Sequence, residues 1–140
     1  MAIRLVSLNT WGGRVFEPLK KYLLDVNADV FCLQEVFSAP STGLRSLADI
    51  DKYDVRVNLF NDIEHILPAH QGFFWPVARG YLNDSTSTEG SLFYGIATFV
   101  RKVIPIIESR TEFVFGEFRH TVSGGPPLPR NAHCIRLHPC

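Results

Sequence analysis

The 140 residues fit the length of one domain, and a composition of 46% apolar residues is ample for a hydrophobic core, which excludes a disordered chain. The 14 Lys and Arg residues are balanced by 14 Asp and Glu residues, so the sequence carries no strong nucleic-acid footprint. The sequence has no signal-peptide pattern, no transmembrane-length apolar segment and no paired cysteine spacing, and we therefore predict one soluble, cytoplasmic domain over residues 1–140.

The first thirty-five residues predict a strand, a helix and a second strand. Residues 3–9 are largely apolar on both sides, which is typical of a strand buried on two faces. Apolar side chains recur at helical spacing over residues 16–26, and a second apolar strand follows at residues 29–34. Such a crossover makes the strands parallel, so Asn9 and Glu35 are expected at the same sheet edge, where open α/β sheets bind ligands.

The rest of the chain predicts one more helix and several short strands. Asn58–Leu67 has a helical apolar face, and residues 72–81 read as a strand that Pro76 confines to an edge or a bulge. Further β runs are predicted at Phe93–Arg101, Val103–Glu108, Glu112–Phe118 and in a last segment that begins at Ala132, with loops at Asn83–Ser91 and Ser123–Pro129. We find no internal repeat and no second-domain boundary.

Glu35 and Asn9 are the strongest candidates for chemistry. Glu35 follows Phe31 and Leu33 on the same predicted strand face, where a carboxylate is desolvated unless it is paired. Alternatively, Glu35 reaches solvent or caps a turn, and Asn9 satisfies turn backbone groups, as Asn often does at strand ends. As a pair, however, the carboxylate suits a Mg²⁺ ion and the amide suits a phosphoryl oxygen.

The stretches "LVSLNTWGG" and "ADVFCLQEV", with a helix between them, resemble the opening of the endonuclease/exonuclease/phosphatase superfamily of deoxyribonuclease-I-like metal-dependent phosphodiesterases. The resemblance implies an α+β fold, a four-layer α/β/β/α sandwich. It also implies a Mg²⁺ or Mn²⁺ cofactor and hydrolysis of a phosphoester by metal-assisted attack of water. In that reading Asn9 orients the phosphate and Glu35 binds the metal.

A second segment, "FYGIATFVRK" at residues 93–102, loosely resembles a later strand of the superfamily. By this resemblance we assign Arg101 to phosphate binding, and the Tyr94 hydroxyl can donate to a phosphate oxygen. The alternative is that Tyr94 packs in a strand and that Arg101 is a solvated strand end. The solvated interpretation is favoured for four other cations: Lys102, Arg110, Arg119 and Arg130.

The sequence also departs from the superfamily. The superfamily completes its site with a later Gly-Asp-x-Asn segment and a Ser-Asp-His segment, but the 140 residues contain no Gly-Asp pair and no Asp-His pair. The only Asp-x-Asn, at Asp25 to Asn27, is better explained as a helix end, and none of the five histidines has an acidic neighbour suited to orient it. We therefore predict an incomplete N-terminal portion of the domain, inactive as this fragment and prone to self-association through an incomplete sheet.

One alternative function remains open. The chain is then a non-catalytic α+β domain that binds a ligand or plays a structural part, with Asn9 and Glu35 serving the fold. Within the phosphoesterase interpretation the sequence does not distinguish nucleic-acid, phospholipid and inositol phosphate substrates.

Overall fold

The computed structural model describes residues 2–39, 46–47, 55–79, 92–119 and 129–138. The strands are β1 Leu5–Asn9, β2 Val30–Ser38, β3 Ser46–Leu47, β4 Val55–Arg56, β5 His70–Arg79, β6 Phe93–Arg101, β7 Ile106–Phe115 and β8 Arg130–Leu137, and the helices are α1 Phe16–Val26 and α2 Leu59–Ile66. One sheet has the order β1-β2-β6-β5, while β3 pairs with β4 and β7 pairs with β8. Among these residues no helix has the length and apolar character needed to cross a membrane.

The opening unit has the predicted parallel crossover. The helix α1 spans the predicted residues, and β1 pairs in parallel with β2 so that Asn9 lies opposite Gln34. Asn27 ends the helix in a left-handed conformation, with φ of 45°, and its N–H donates to the Leu23 carbonyl at 3.1 Å. The Asp-x-Asn of residues 25–27 is therefore a helix end, as predicted.

The main sheet lies between the helices and the β7–β8 hairpin. On one face, Leu23 of α1 and Ile63 of α2 are fully buried with Phe31 and Phe99 of the sheet. On the other face, Val30 and Val100 pack with apolar side chains of β7 and β8. The described residues thus form three successive layers, in agreement with an α+β sandwich of the predicted class.

Gly95, in the "GIA" segment, is required for a steric reason. A Cβ atom built on Gly95 would lie 2.1 Å from the carbonyl oxygen of Trp75, a contact that backbone atoms do not tolerate. The neighbouring strand β5 lies at the sheet edge and bulges between Pro76 and Ala78, as Pro76 predicted.

Two predictions about strands need correction, and two predicted loops fall largely outside the described residues. The strand β1 is not buried on both faces: Val6 and Leu8 pack against the core, but Leu5 on the other face is 59% exposed. The two β runs predicted after Arg101 form one strand, Ile106–Phe115, since its polar middle continues to pair with β8 while facing solvent on one side. The predicted loop at Asn83–Ser91 lies outside the described residues, and so does the predicted loop at Ser123–Pro129 except for Pro129.

Candidate functional site

The carboxylate of Glu35 leaves the core because β2 contains a bulge. Leu33 lies opposite Ala97 of β6 and Val36 lies opposite Gly95, so β2 carries one extra residue in this interval. Phe31, Leu33 and Val36 all belong to the buried core. Val36 therefore takes the core position that regular alternation predicts for Glu35, and Glu35 itself is partly exposed.

The bulge places Glu35 in a left-handed backbone conformation, with φ of 57°. This region is unfavourable for residues with a Cβ atom, and native proteins retain such residues where the surroundings fix them. Thr10, which is 3% exposed, contacts this part of the backbone. Its single hydroxyl proton is shared between the carbonyl oxygens of Gln34, at 2.8 Å, and Glu35, at 3.0 Å, and its N–H donates to the Gln34 carbonyl oxygen at 3.0 Å.

The Gln34 side chain joins the same two strand ends a second time. Its Nε2 donates to the Ser7 hydroxyl of β1 at 3.1 Å and to the Cys32 carbonyl at 3.2 Å. The two strands are thus linked at their carboxyl ends both by Thr10 and by Gln34.

Asn9 lies at the end of β1, next to this bulge. Its Oδ1 accepts a hydrogen bond from the Trp11 N–H at 2.8 Å, which closes a turn at Trp11–Gly13. Because the backbone N–H is a donor, the accepting atom must be Oδ1, and Nδ2 remains as a donor on an exposed side chain. The alternative role of Asn9, satisfying a backbone group of a turn, is thus present in the structure. The same hydrogen bond leaves Nδ2 as the amide atom that is available to a ligand.

Tyr94 lies close enough to both Glu35 and Arg130 for each charge to act on its phenol. Burial raises the pKa of Tyr94, the Glu35 carboxylate raises it further, and Arg130 lowers it. The phenol is therefore protonated at neutral pH and is able to donate a hydrogen bond. Its ring also packs on Phe37, with centroids 5.1 Å apart, so Tyr94 both contributes to packing and lies near the carboxylate.

The structure does not bring Arg101 to this site. Its Nε donates to Asp29 Oδ1 at 2.9 Å, and its Nη2 donates to the Asn27 carbonyl at 2.8 Å. Asp29 precedes Glu35 by six residues, which in an extended strand is a separation on the order of 20 Å. Arg101 instead ties the end of β6 to the start of β2.

The histidines with described hydrogen bonds serve the fold. His70, 6% exposed, donates to the Ala28 carbonyl, and His65 donates to the Asn61 carbonyl within α2. His133 lies between the Ser109 and Thr98 hydroxyls, at 2.8 and 2.9 Å, and burial lowers its pKa. None of these three lies in a hydrogen bond with a carboxylate among the described residues.

The residues present fit one side of a divalent-metal site. Within the described part of the chain, the Glu35 carboxylate has no hydrogen bond or ion pair, and no cluster of three His, Cys, Asp or Glu side chains is found. Mg²⁺ commonly takes one or two carboxylates and fills its remaining positions with water and substrate phosphate. A single unpaired carboxylate beside donors for an anion is consistent with that chemistry.

The sequence analysis did not single out Thr10, and it interpreted Arg130 as a solvated cation. Thr10 is next to Asn9 in the sequence, but its contact with the Glu35 carbonyl follows from the bulge, which local periodicity does not reveal. The solvated interpretation of Arg130 agrees with its exposure at the start of β8, although its charge also lowers the pKa of Tyr94.

Comparison with known proteins places the chain in a family. Residues 6–137 match the sequence model of the Endonuclease/Exonuclease/phosphatase family, and no curated protein sequence matches the chain. The structure is similar to an endonuclease/exonuclease/phosphatase family protein from Leptotrichia buccalis, with TM-score 0.61 and 14% identity over 97% of this chain and 50% of that one. An endonuclease/exonuclease/phosphatase from Bacteroides vulgatus gives TM-score 0.51 and 16% identity over 94% of this chain and 44% of that one.

These neighbours establish the shared fold, and the chain spans about half of their length. The family match covers nearly the whole sequence and includes every residue of the site described above. The chain belongs to the Endonuclease/Exonuclease/phosphatase family.

Proposed function

We propose that this chain forms part of a divalent-metal-dependent phosphoesterase, with Mg²⁺ or Mn²⁺ as cofactor. The observation that carries the proposal is the Glu35 carboxylate, which a bulge removes from the core and sets near the Tyr94 phenol. A carboxylate that is neither buried nor paired among the described residues is available to a cation.

In this proposal each residue has a defined part. Glu35 holds the metal, which when bound polarises the phosphate and stabilises the leaving oxygen. The Nδ2 of Asn9 donates to a phosphoryl oxygen, while the hydrogen bond from the Trp11 N–H to Oδ1 fixes the orientation of the amide. Tyr94, protonated at neutral pH, donates a second hydrogen bond, and Arg130 contributes positive charge against the anionic phosphate.

The group that activates water is not assigned to a described residue. His133 is a poor candidate, because hydroxyl groups occupy both of its ring nitrogens. We therefore expect negligible phosphodiester turnover from these 140 residues alone, and we propose that full activity requires groups from the remaining length that the family's larger members possess.

Metal binding by Glu35 is tested by thermal unfolding with and without Mn²⁺. A ligand that binds only the folded state stabilises it by about 2.7 kcal/mol at a hundredfold excess over Kd, so Mn²⁺ should raise the melting temperature by several degrees. Glu35→Gln keeps the size of the side chain and removes its charge, and we expect it to abolish that rise. Glu17→Gln, in the exposed first turn of α1, is the matched control and should retain it.

The result that would reject the proposal is an equal Mn²⁺-induced rise in the wild-type protein and in Glu35→Gln. No rise in any variant would favour the second candidate, a non-catalytic α+β domain. That candidate is supported by one contact, the turn-closing hydrogen bond from Trp11 to Asn9, which gives Asn9 a structural role without any substrate.

A further inference from the structure

The left-handed conformation of Glu35 is held by contacts that come from a different strand. The Thr10 hydroxyl lies 2.8 Å from the Gln34 carbonyl oxygen and 3.0 Å from the Glu35 carbonyl oxygen, so one buried side chain contacts the two peptide groups that flank the strained Glu35 Cα atom. A non-glycine residue at φ of 57° costs free energy unless its surroundings enforce it. Thr10 thus contacts the carbonyl groups on both sides of the Glu35 Cα atom.

The orientation of the carboxylate depends on this backbone geometry. If the bulge relaxed into regular strand pairing, Glu35 would take the position that Val36 now fills in the core, and its carboxylate would be directed away from Tyr94. The bulge therefore determines whether the carboxylate lies inside the core or outside it.

We propose that Thr10 is a positioning residue: its hydroxyl fixes the β2 bulge and thereby directs the Glu35 carboxylate toward the metal position. What Glu35 binds rests on the proposed function, whereas the link between Thr10 and the Glu35 backbone does not. A single hydroxyl then connects the ends of β1 and β2, the two strands that supply Asn9 and Glu35.

Ser7 gives a matched control for this role. Like Thr10, it links the end of β1 to β2 through its hydroxyl, which accepts a hydrogen bond from Gln34 Nε2 at 3.1 Å. It makes no contact with the Glu35 carbonyl in the described structure. A loss of general β1–β2 pairing should follow from changing either residue, but a loss of Glu35 geometry should follow only from changing Thr10.

The first experiment measures binding of Mn²⁺ alone by electron paramagnetic resonance in the full 140-residue chain. Thr10→Val keeps the shape of the side chain and removes the hydroxyl, and we expect Mn²⁺ affinity to fall about tenfold, the lower end of the effect of residues that orient metal ligands. Thr10→Ser restores the hydroxyl and should bind as the wild type does, and Ser7→Ala should also be unchanged. Equal affinity in Thr10→Val and the wild type would overturn the proposal while leaving Glu35 as a metal ligand.

The second experiment is independent of metal. Glycine adopts a left-handed conformation without the Cβ penalty, so a Glu35→Gly chain needs the Thr10 hydroxyl less. We expect Thr10→Val to lower the melting temperature clearly less in the Glu35→Gly chain than in the wild type, whereas Ser7→Ala should lower it equally in both. Equal losses for Thr10→Val in the two backgrounds would refute the link to Glu35, even if Mn²⁺ binds nowhere on the chain.

Poor folding of Thr10→Val does not prevent the test. Thr10→Ala removes the same hydroxyl without placing a second methyl group against the two carbonyls, and the Glu35→Gly chain provides a less strained background for it. If Thr10→Ala and Thr10→Ser bind Mn²⁺ equally well, the hydroxyl does not position the carboxylate and the proposal fails.

Discussion

Glu35 combines a charged side chain, a strained backbone and a position beside the core. The backbone strain can be measured separately from the charge, because the left-handed region penalises every residue with a Cβ atom and not glycine. The two replacements Glu35→Gly and Glu35→Ala both delete the carboxylate and differ only in that penalty.

We expect Glu35→Gly to be more stable than Glu35→Ala by about 1 kcal/mol in the free energy of unfolding, measured by urea denaturation. The same pair of substitutions at Glu17 gives the opposite order, because Glu17 lies in the first turn of α1 and glycine weakens a helix relative to alanine. A more stable Glu35→Ala would show that the bulge does not hold position 35 in the left-handed region in solution.

At the scale of elements, the sequence predicts what local periodicity determines. The helix at residues 16–26, the parallel crossover and the strand at residues 93–101 follow from side-chain spacing within one segment, and the structure has all three. The same spacing placed Glu35 on the core face of β2. That prediction was wrong about the face, because a bulge depends on the register with β6, which lies about sixty residues later in the chain.

The candidate site likewise contains one feature that the sequence predicts and one that depends on tertiary pairing. Asn9 and Glu35 were brought to one edge by the parallel pairing, which the sequence predicts. Arg101 was assigned by resemblance of a segment, but a cation at the end of β6 faces the start of β2 because those strands are antiparallel. Strand direction is determined by tertiary pairing, and in this fold it places Arg101 beside Asp29 and away from the site.

The Asp29–Arg101 pair predicts how the junction of β2 and β6 responds to acid. The Arg4 N–H donates to the Asp29 carboxylate, Arg101 adds a second hydrogen bond, and together they hold the pKa of Asp29 below its ordinary value of about 3.9. The folded state thus releases this proton more readily than the unfolded state does. The stabilisation is complete above the ordinary value and is lost as the pH falls through it toward the lower, folded pKa.

We therefore expect the free energy of unfolding of the wild-type protein to fall more steeply between about pH 5 and pH 2 than that of Asp29→Asn, measured by urea denaturation at each pH. Asp25→Asn is the control, because Asp25 forms only an exposed ion pair with Lys21 on α1 and should leave the slope unchanged. Parallel pH curves for Asp29→Asn and the wild type would contradict the assigned role of the pair.

At the scale of the whole molecule, the two edge strands of the main sheet differ in whether their outer backbone groups have a partner. The edge strand β5 exchanges backbone hydrogen bonds with Arg119, whose N–H donates to Val77 and whose carbonyl accepts from Arg79. On β1, by contrast, the outer edge has no strand partner among the described residues, and Leu5 and Ile3 are 59% and 41% exposed. An apolar, unpaired edge is a template for association with another chain.

We expect the 140-residue chain to associate as its concentration rises, observed by sedimentation velocity, because pairing along β1 buries its exposed apolar side chains and satisfies its backbone groups. Leu5→Lys should reduce this association, since a lysine on an edge strand opposes the approach of a second chain. Val103→Lys is the matched control: Val103 is 77% exposed but lies in the turn between β6 and β7. A wild-type chain that stays monomeric, or an equal effect of both lysines, would mean that β1 is not the associating edge.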